Sequence, residues 1–183
     1  MKDKKQKLAI SFVVILLIVT IYTGLLKPFI QNQKKENAGN LSSEKILVPD
    51  FRFTDEEGNT VNFDDFKGKP IVINFWGIWC KFCVMEMGDF NSLVEDYEDD
   101  VNFIFLHVAN SPNTTNESVL EFLDKKGFDN ITTHFDSLGE GTYMFGINSF
   151  PTTVYIDKDG YIFDAKFGMT NYDSSKIIID EML

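Results

Sequence analysis

The only two cysteines of this chain stand three positions apart, in Trp76-Gly77-Ile78-Trp79-Cys80-Lys81-Phe82-Cys83. An apolar, β-branched run from Ile71 to Trp76 precedes them, and a Pro-free stretch with apolar residues near helical spacing follows. Two intervening residues in a first helical turn bring both sulfurs into bonding range. The first cysteine then lies at the helix N-terminus, where unpaired amides and the helix dipole favour the thiolate. The thiolate is the species that reacts in thiol–disulfide exchange. Lys81 pushes the same way if its side chain leans in. A Cys-x-x-Cys in this strand-to-helix context points to redox catalysis.

The rival chemistries are weaker. A zinc site needs about four ligands, and beyond the two cysteines the chain offers only His107 and His134. His107 lies in an apolar run and reads as a packed core residue, whereas His134 reads as a surface loop residue. Neither has a spacing that marks it as a ligand or a base, so a Cys–His hydrolase is disfavoured. A purely structural bridge has no need of a helix terminus. No cofactor or metal is called for.

The elements that must position the pair are short and alternate in type. Two strands, Phe51–Thr54 and Thr60–Asn62, flank the turn signal Glu57-Gly58-Asn59. Ile71–Trp76 reads as a buried strand bounded by Pro70 and Gly77. A helix is expected from Cys80 to about Tyr97, weakened locally by Gly88. A second buried strand covers Val101–Val108. Ser111–Asn116 reads as a loop and Glu117–Lys126 as a helix closed by Gly127. A short helix is expected over Gly141–Phe145, then a strand at Thr152–Ile156. A hairpin turn at Asp157–Gly160 leads into Tyr161–Phe167, and a final helix runs from Tyr172 to Met182. The order β-β-β-α-β-α-β-β-α implies an α/β fold, a mixed sheet covered by helices.

Composition bounds the rest. The 183 residues are 44% hydrophobic and include 18 Phe, too apolar for a disordered chain and enough for a core. A net charge of −11 argues against nucleic acid as a partner. That charge is an average: seven lysines against Asp3 make residues 1–35 net +6, leaving −17 on the other 148. After the basic start, Leu8–Leu26 carries no charge. Those 19 residues would span about 28 Å as a helix, enough for a hydrocarbon core. The run is longer than a typical cleavable signal, and Thr23-Gly24-Leu25-Leu26-Lys27-Pro28 is a poor cleavage site, so an uncleaved anchor is favoured over its rival, a cleaved signal peptide. The expected organisation is a cytoplasmic basic tail (1–7), a transmembrane anchor (8–26), a polar linker (27–47) and a catalytic domain (48–183). The lysines before the span outnumber those just after it, which keeps the N-terminus inside and the domain extracytoplasmic. The chain reads as a single-pass protein of the cytoplasmic membrane and as a monomer.

The segment Gly68–Trp76 through Trp79-Cys80-Lys81-Phe82-Cys83-Val84-Met85-Glu86 resembles the membrane-anchored, extracytoplasmic branch of the thioredoxin superfamily. That branch holds the TlpA/ResA-type thiol-disulfide reductases and the cytochrome c maturation thioredoxins. The likeness covers about residues 48–183, including the Phe51–Phe66 hairpin extension and Phe150-Pro151-Thr152-Thr153 followed by Ile156–Gly160. It implies a thioredoxin-like fold, with Cys80 as the attacking and Cys83 as the resolving cysteine of a redox-active disulfide. It makes Pro151 the cis-proline facing the cysteines, which leaves the Phe150 backbone free to pair with an extended substrate. Glu86 matches an acidic residue kept near the disulfide, one helical turn from Cys83, where a carboxylate raises a thiol pKa and shuttles its proton. The competing reading of Glu86 is a solvated helix residue.

Departures from the family pattern are specific. Lys81-Phe82 stands where many relatives have proline second, so Phe82 puts an apolar ring at the rim of the site. Gly88 replaces a frequent helix-kinking proline, and Ile78 a small or polar residue. Trp79 is matched and forms a candidate docking surface. The resemblance further implies disulfide-containing protein substrates, apocytochrome c or oxidised repair enzymes such as methionine sulfoxide reductases, and recharging by a membrane thiol-electron carrier. Two rivals stay open: the same pair run as a disulfide-forming oxidase, or a non-catalytic scaffold with a structural bridge.

Overall fold

The computed structural model describes residues 45–110 and 113–183, with Tyr22, Gly24 and Lys27 as isolated positions. Those positions apart, the expected basic tail, anchor and most of the linker lie outside the described residues. Among the described residues no helix is long and apolar enough to cross a membrane.

The elements run in short alternation. Strands β1 (Arg52–Thr54) and β2 (Thr60–Asn62) form the expected hairpin. Its turn is held by Asp55, whose carboxylate accepts from the backbone and side-chain nitrogens of Asn59. A single 3-10 turn (Phe63–Phe66) leads to β3 (Ile71–Trp76), helix α1 (Lys81–Tyr97) and β4 (Asn102–His107). Helix α2 (Asn116–Lys126) opens on a Thr115 cap and closes at Gly127, whose φ of 66° is a left-handed conformation that glycine adopts at little cost. Then follow β5 (Thr133–Phe135), α3 (Glu140–Met144), β6 (Thr152–Ile156), β7 (Ile162–Phe167) and α4 (Tyr172–Met182).

All the strands join one sheet in the order β2-β1-β5-β4-β3-β6-β7. β3, β4 and β5 are parallel, while β6 and β1 join them antiparallel. The mixed sheet is as expected, with one addition. Thr133–Phe135 is a strand beside β4, so His134 is not a surface loop residue. Its ring is buried edge-on between Phe53 and Phe66, at 5.1 and 5.7 Å.

Strand periodicity sorts β3 into two faces. Ile71, Ile73 and Phe75 pack with Phe51, Phe53, Phe63 and Phe145 on one side of the sheet. Val72 and Trp76 pack with Cys83, Met87 and Phe90 of α1 and Ile179 of α4 on the other. Asn74 shares this second face. An apolar strand therefore carries one amide directly under the helix that bears the cysteines.

Candidate active site

β3 ends at Trp76, and Gly77 turns the chain toward α1. A Cβ on Gly77 would lie 2.4 Å from the Trp79 indole nitrogen, so only glycine leaves room for that ring. The indole N–H donates to the Val108 carbonyl at 2.8 Å, which ties the turn to the end of β4. Cys80 is the N-cap of α1, in extended backbone, and its sulfur accepts the Cys83 backbone N–H at 3.2 Å. The two cysteines form a disulfide with Cα atoms 5.3 Å apart. The pair is asymmetric: Cys80 keeps 7% exposure and Cys83 none. An incoming sulfur can meet only the first.

The Phe150–Pro151 peptide bond is cis. The Phe150 ring meets Trp79 edge-on at 5.0 Å, which brings the proline loop beside the residue preceding Cys80. The Pro151 carbonyl accepts from the Gly168 amide at 2.8 Å, so its own polar group is spent within the fold. Trp79, Phe82 and Met85 are exposed around this loop and the helix start.

Beneath Cys83, one turn along α1, Glu86 is 1% exposed and therefore not a solvated helix residue. Its two oxygens accept from Asn74 Nδ2 and from the Thr170 backbone amide, each at 2.8 Å. Burial pushes its carboxyl up to about 7. The two N–H donors favour the charged form but do not cancel the desolvation, and Asp89 adds to the rise. Asn74 faces Thr153 across the β3–β6 ladder, and Nδ2 also donates to the Thr153 hydroxyl at 3.0 Å. Thr170 continues this polar seam through Ser175 to the Tyr155 hydroxyl. A buried acid that titrates near neutrality under a dithiol can take or give one proton at physiological pH.

The structure thus gathers Trp79, Cys80, Phe82, Cys83, Glu86, Phe150 and Pro151 at one end of β3. Sequence reasoning missed Asn74, Thr153 and Thr170. The available signal was an amide in the middle of Ile-Val-Ile-Asn-Phe-Trp, where a polar side chain demands a partner. His107 sits edge-on to Trp76 at 5.2 Å, and burial lowers its pKa to about 4, so it stays neutral as the core residue expected. Among the described residues no group of His, Cys, Asp or Glu is placed to hold a metal.

Known proteins resemble this chain in sequence and in fold. The Redoxin family matches residues 42–177. A thiol-disulfide oxidoreductase, ResA of Bacillus thuringiensis, is 32% identical over 164 residues, covering 87% of each chain. The thioredoxin-like protein YneN of Bacillus subtilis is 27% identical over 155 residues, covering 85% of this chain and 87% of its own. In three dimensions, StoA of Bacillus subtilis superposes with a TM-score of 0.62 at 23% identity, over 72% of this chain and 97% of its own. A putative thioredoxin from Neisseria meningitidis gives 0.64 at 28% identity, over 76% and 91%. With a closed Cys80–Cys83 pair capping a helix in this fold, the chain belongs to the Redoxin family, as a ResA-like thiol-disulfide oxidoreductase of the thioredoxin superfamily.

Proposed function

We propose that the protein is a reductase of disulfides in exported proteins, held at the outer face of the cytoplasmic membrane by residues 8–26. The observation that carries the direction is the buried Glu86 one turn from Cys83, with a carboxyl raised to about 7. A carboxylate there opposes a second negative charge on Cys83, which favours keeping that sulfur as thiol until it is needed. The Cys80 thiolate, favoured by the α1 N-terminus, attacks a substrate disulfide: a new S–S bond forms and the leaving thiolate departs. Glu86 takes the Cys83 proton, the Cys83 thiolate attacks Cys80, and the substrate leaves reduced. Two electrons have passed to the substrate, and the Cys80–Cys83 bond has reformed. A membrane thiol-electron carrier returns them. Trp79, Phe82 and the Phe150–Pro151 loop form the surface on which the substrate lies, and its candidates are apocytochrome c and oxidised repair enzymes. A ResA relative at 32% identity and the uncharged run Leu8–Leu26 support this reading.

The two-electron potential of the pair tests the direction. A value near that of thioredoxin, about −270 mV, supports the reductase; one near DsbA, about −120 mV, overturns it in favour of an oxidase.

A further inference from the structure

Five large apolar side chains that the fold leaves exposed lie on segments meeting at the disulfide: Trp79, Phe82, Met85, Phe167 and Met169. Phe82 and Met85 are three positions apart on α1, hence on one face, and each is 56% exposed. The residues that follow them, Cys83 and Glu86, are at most 1% exposed, so the stripe borders the buried half of the site directly. Met169 is placed at the same turn by its neighbour, because the Thr170 amide bonds the Glu86 carboxylate. Phe167 and Gly168 lie beside the cis-proline, through the Thr152–Phe167 register and the Gly168–Pro151 hydrogen bond. Single exposed apolar residues are ordinary, but a cluster around a reacting atom marks a contact surface.

We infer that Phe82 and Met85 select the substrate: this enzyme prefers disulfides whose cysteine is flanked by a bulky apolar residue in an extended segment. The inference rests on the proposed reductase reading and narrows its substrate class. The occupant is argued from continuity with the reaction: Phe82 and Met85 are exposed in the first turns of the helix that Cys80 caps, so a segment that brings a sulfur to Cys80 comes against that end of α1. Lys81, exposed and in no ion pair among the described residues, adds a cation at the edge, so the complement is apolar and not basic. The flexible thioethers of Met85 and Met169 can adapt to different apolar shapes, which suits a substrate family rather than one partner. Bringing one bulky apolar side chain out of water is worth about 10- to 100-fold in kcat/KM.

The test uses the full chain, reduced beforehand, and two short peptides whose single cysteine is disulfide-linked to 5-thio-2-nitrobenzoate. The peptides are identical except that leucine or serine flanks the cysteine. Release of the coloured thiolate is read in single turnover, and the result is the ratio of the two rates, in which any general change of Cys80 reactivity cancels. The wild-type ratio should be about 10 or more. In Phe82→Ser and, separately, Met85→Gln it should fall by at least about threefold. A wild-type ratio near one overturns the selectivity while leaving the reductase reading intact, as does a ratio unchanged in both variants. Failure to release thiolate from either peptide overturns the reductase reading and the selectivity with it.

Discussion

Replacing Glu86 by glutamine should change how stability depends on pH, and the size of the change follows from the burial of one carboxyl. In the unfolded chain this group titrates at its ordinary value of 4.5, whereas in the fold burial raises it to about 7. Between those values the native state holds a proton that the unfolded state has lost. Stability is therefore complete below 4.5 and falls as pH rises toward 7, after which the loss is constant. A window of 2.5 units at 1.36 kcal/mol per unit makes this loss about 3 kcal/mol. The glutamine side chain cannot ionise and escapes it. The substitution also turns an amide N–H toward either Asn74 Nδ2 or the Thr170 amide, both donors, at a cost that does not vary with pH. The informative quantity is thus the difference in unfolding free energy, variant minus wild type, from urea titrations with the disulfide closed. It should be flat below pH 4, rise by about 3 kcal/mol up to pH 8, and level off. Both buried histidines are present in each protein and cancel. A difference independent of pH would refute the assignment of Glu86 as a buried acid titrating near neutrality, and with it the proton transfer from Cys83 to Glu86.

His134 carries the opposite dependence. Burial lowers its pKa from 6.5 to about 4, so its contribution is present above 6.5 and is lost as pH falls toward 4; His134→Phe, which can keep the edge-on contacts with Phe53 and Phe66, should make that acid limb shallower in thermal melts, with His107 carrying the part that stays. An acid limb as steep in the variant as in the wild type would contradict this. Gly77→Ala should displace the Trp79 ring, since its new Cβ would overlap the indole nitrogen, and break the bond to Val108. Stability should fall by about 1–3 kcal/mol and the fluorescence of the more exposed tryptophan should move to longer wavelength; unchanged emission would show that the ring is not held as described.

Much of the site was legible in the chain because its chemistry is local. The cysteine spacing, the preceding Ile71–Trp76 run and the following helix are read within 30 residues of one another. The cis-proline loop was legible only through family likeness, since it meets Trp79 from 71 positions further along the chain. β5 was missed because three residues are too few for a period, and all three are buried, so no alternation marks them. His134 was misplaced for the same reason: a lone imidazole gains its aromatic neighbours from Phe53 of β1 and Phe66 of the 3-10 turn, 81 and 68 positions earlier in the chain. The Asn74–Glu86–Thr170 seam depends on strand register and on a loop after β7, neither of which a local pattern encodes. The polarity of Asn74 hinted at a partner without naming it.

The measurement that bears most directly on the central claim is covalent trapping. With Cys83→Ala, the Cys80 thiolate still attacks a substrate disulfide, but nothing resolves the product. Expressed as the full chain and alkylated on lysis, this variant should accumulate adducts that dithiothreitol releases and that contain exported proteins with cysteine pairs. The corresponding Cys80→Ala variant should accumulate far fewer, because Cys83 has no exposed surface. Equal trapping by the two variants, or none by either, would contradict an exchange mechanism that enters through Cys80.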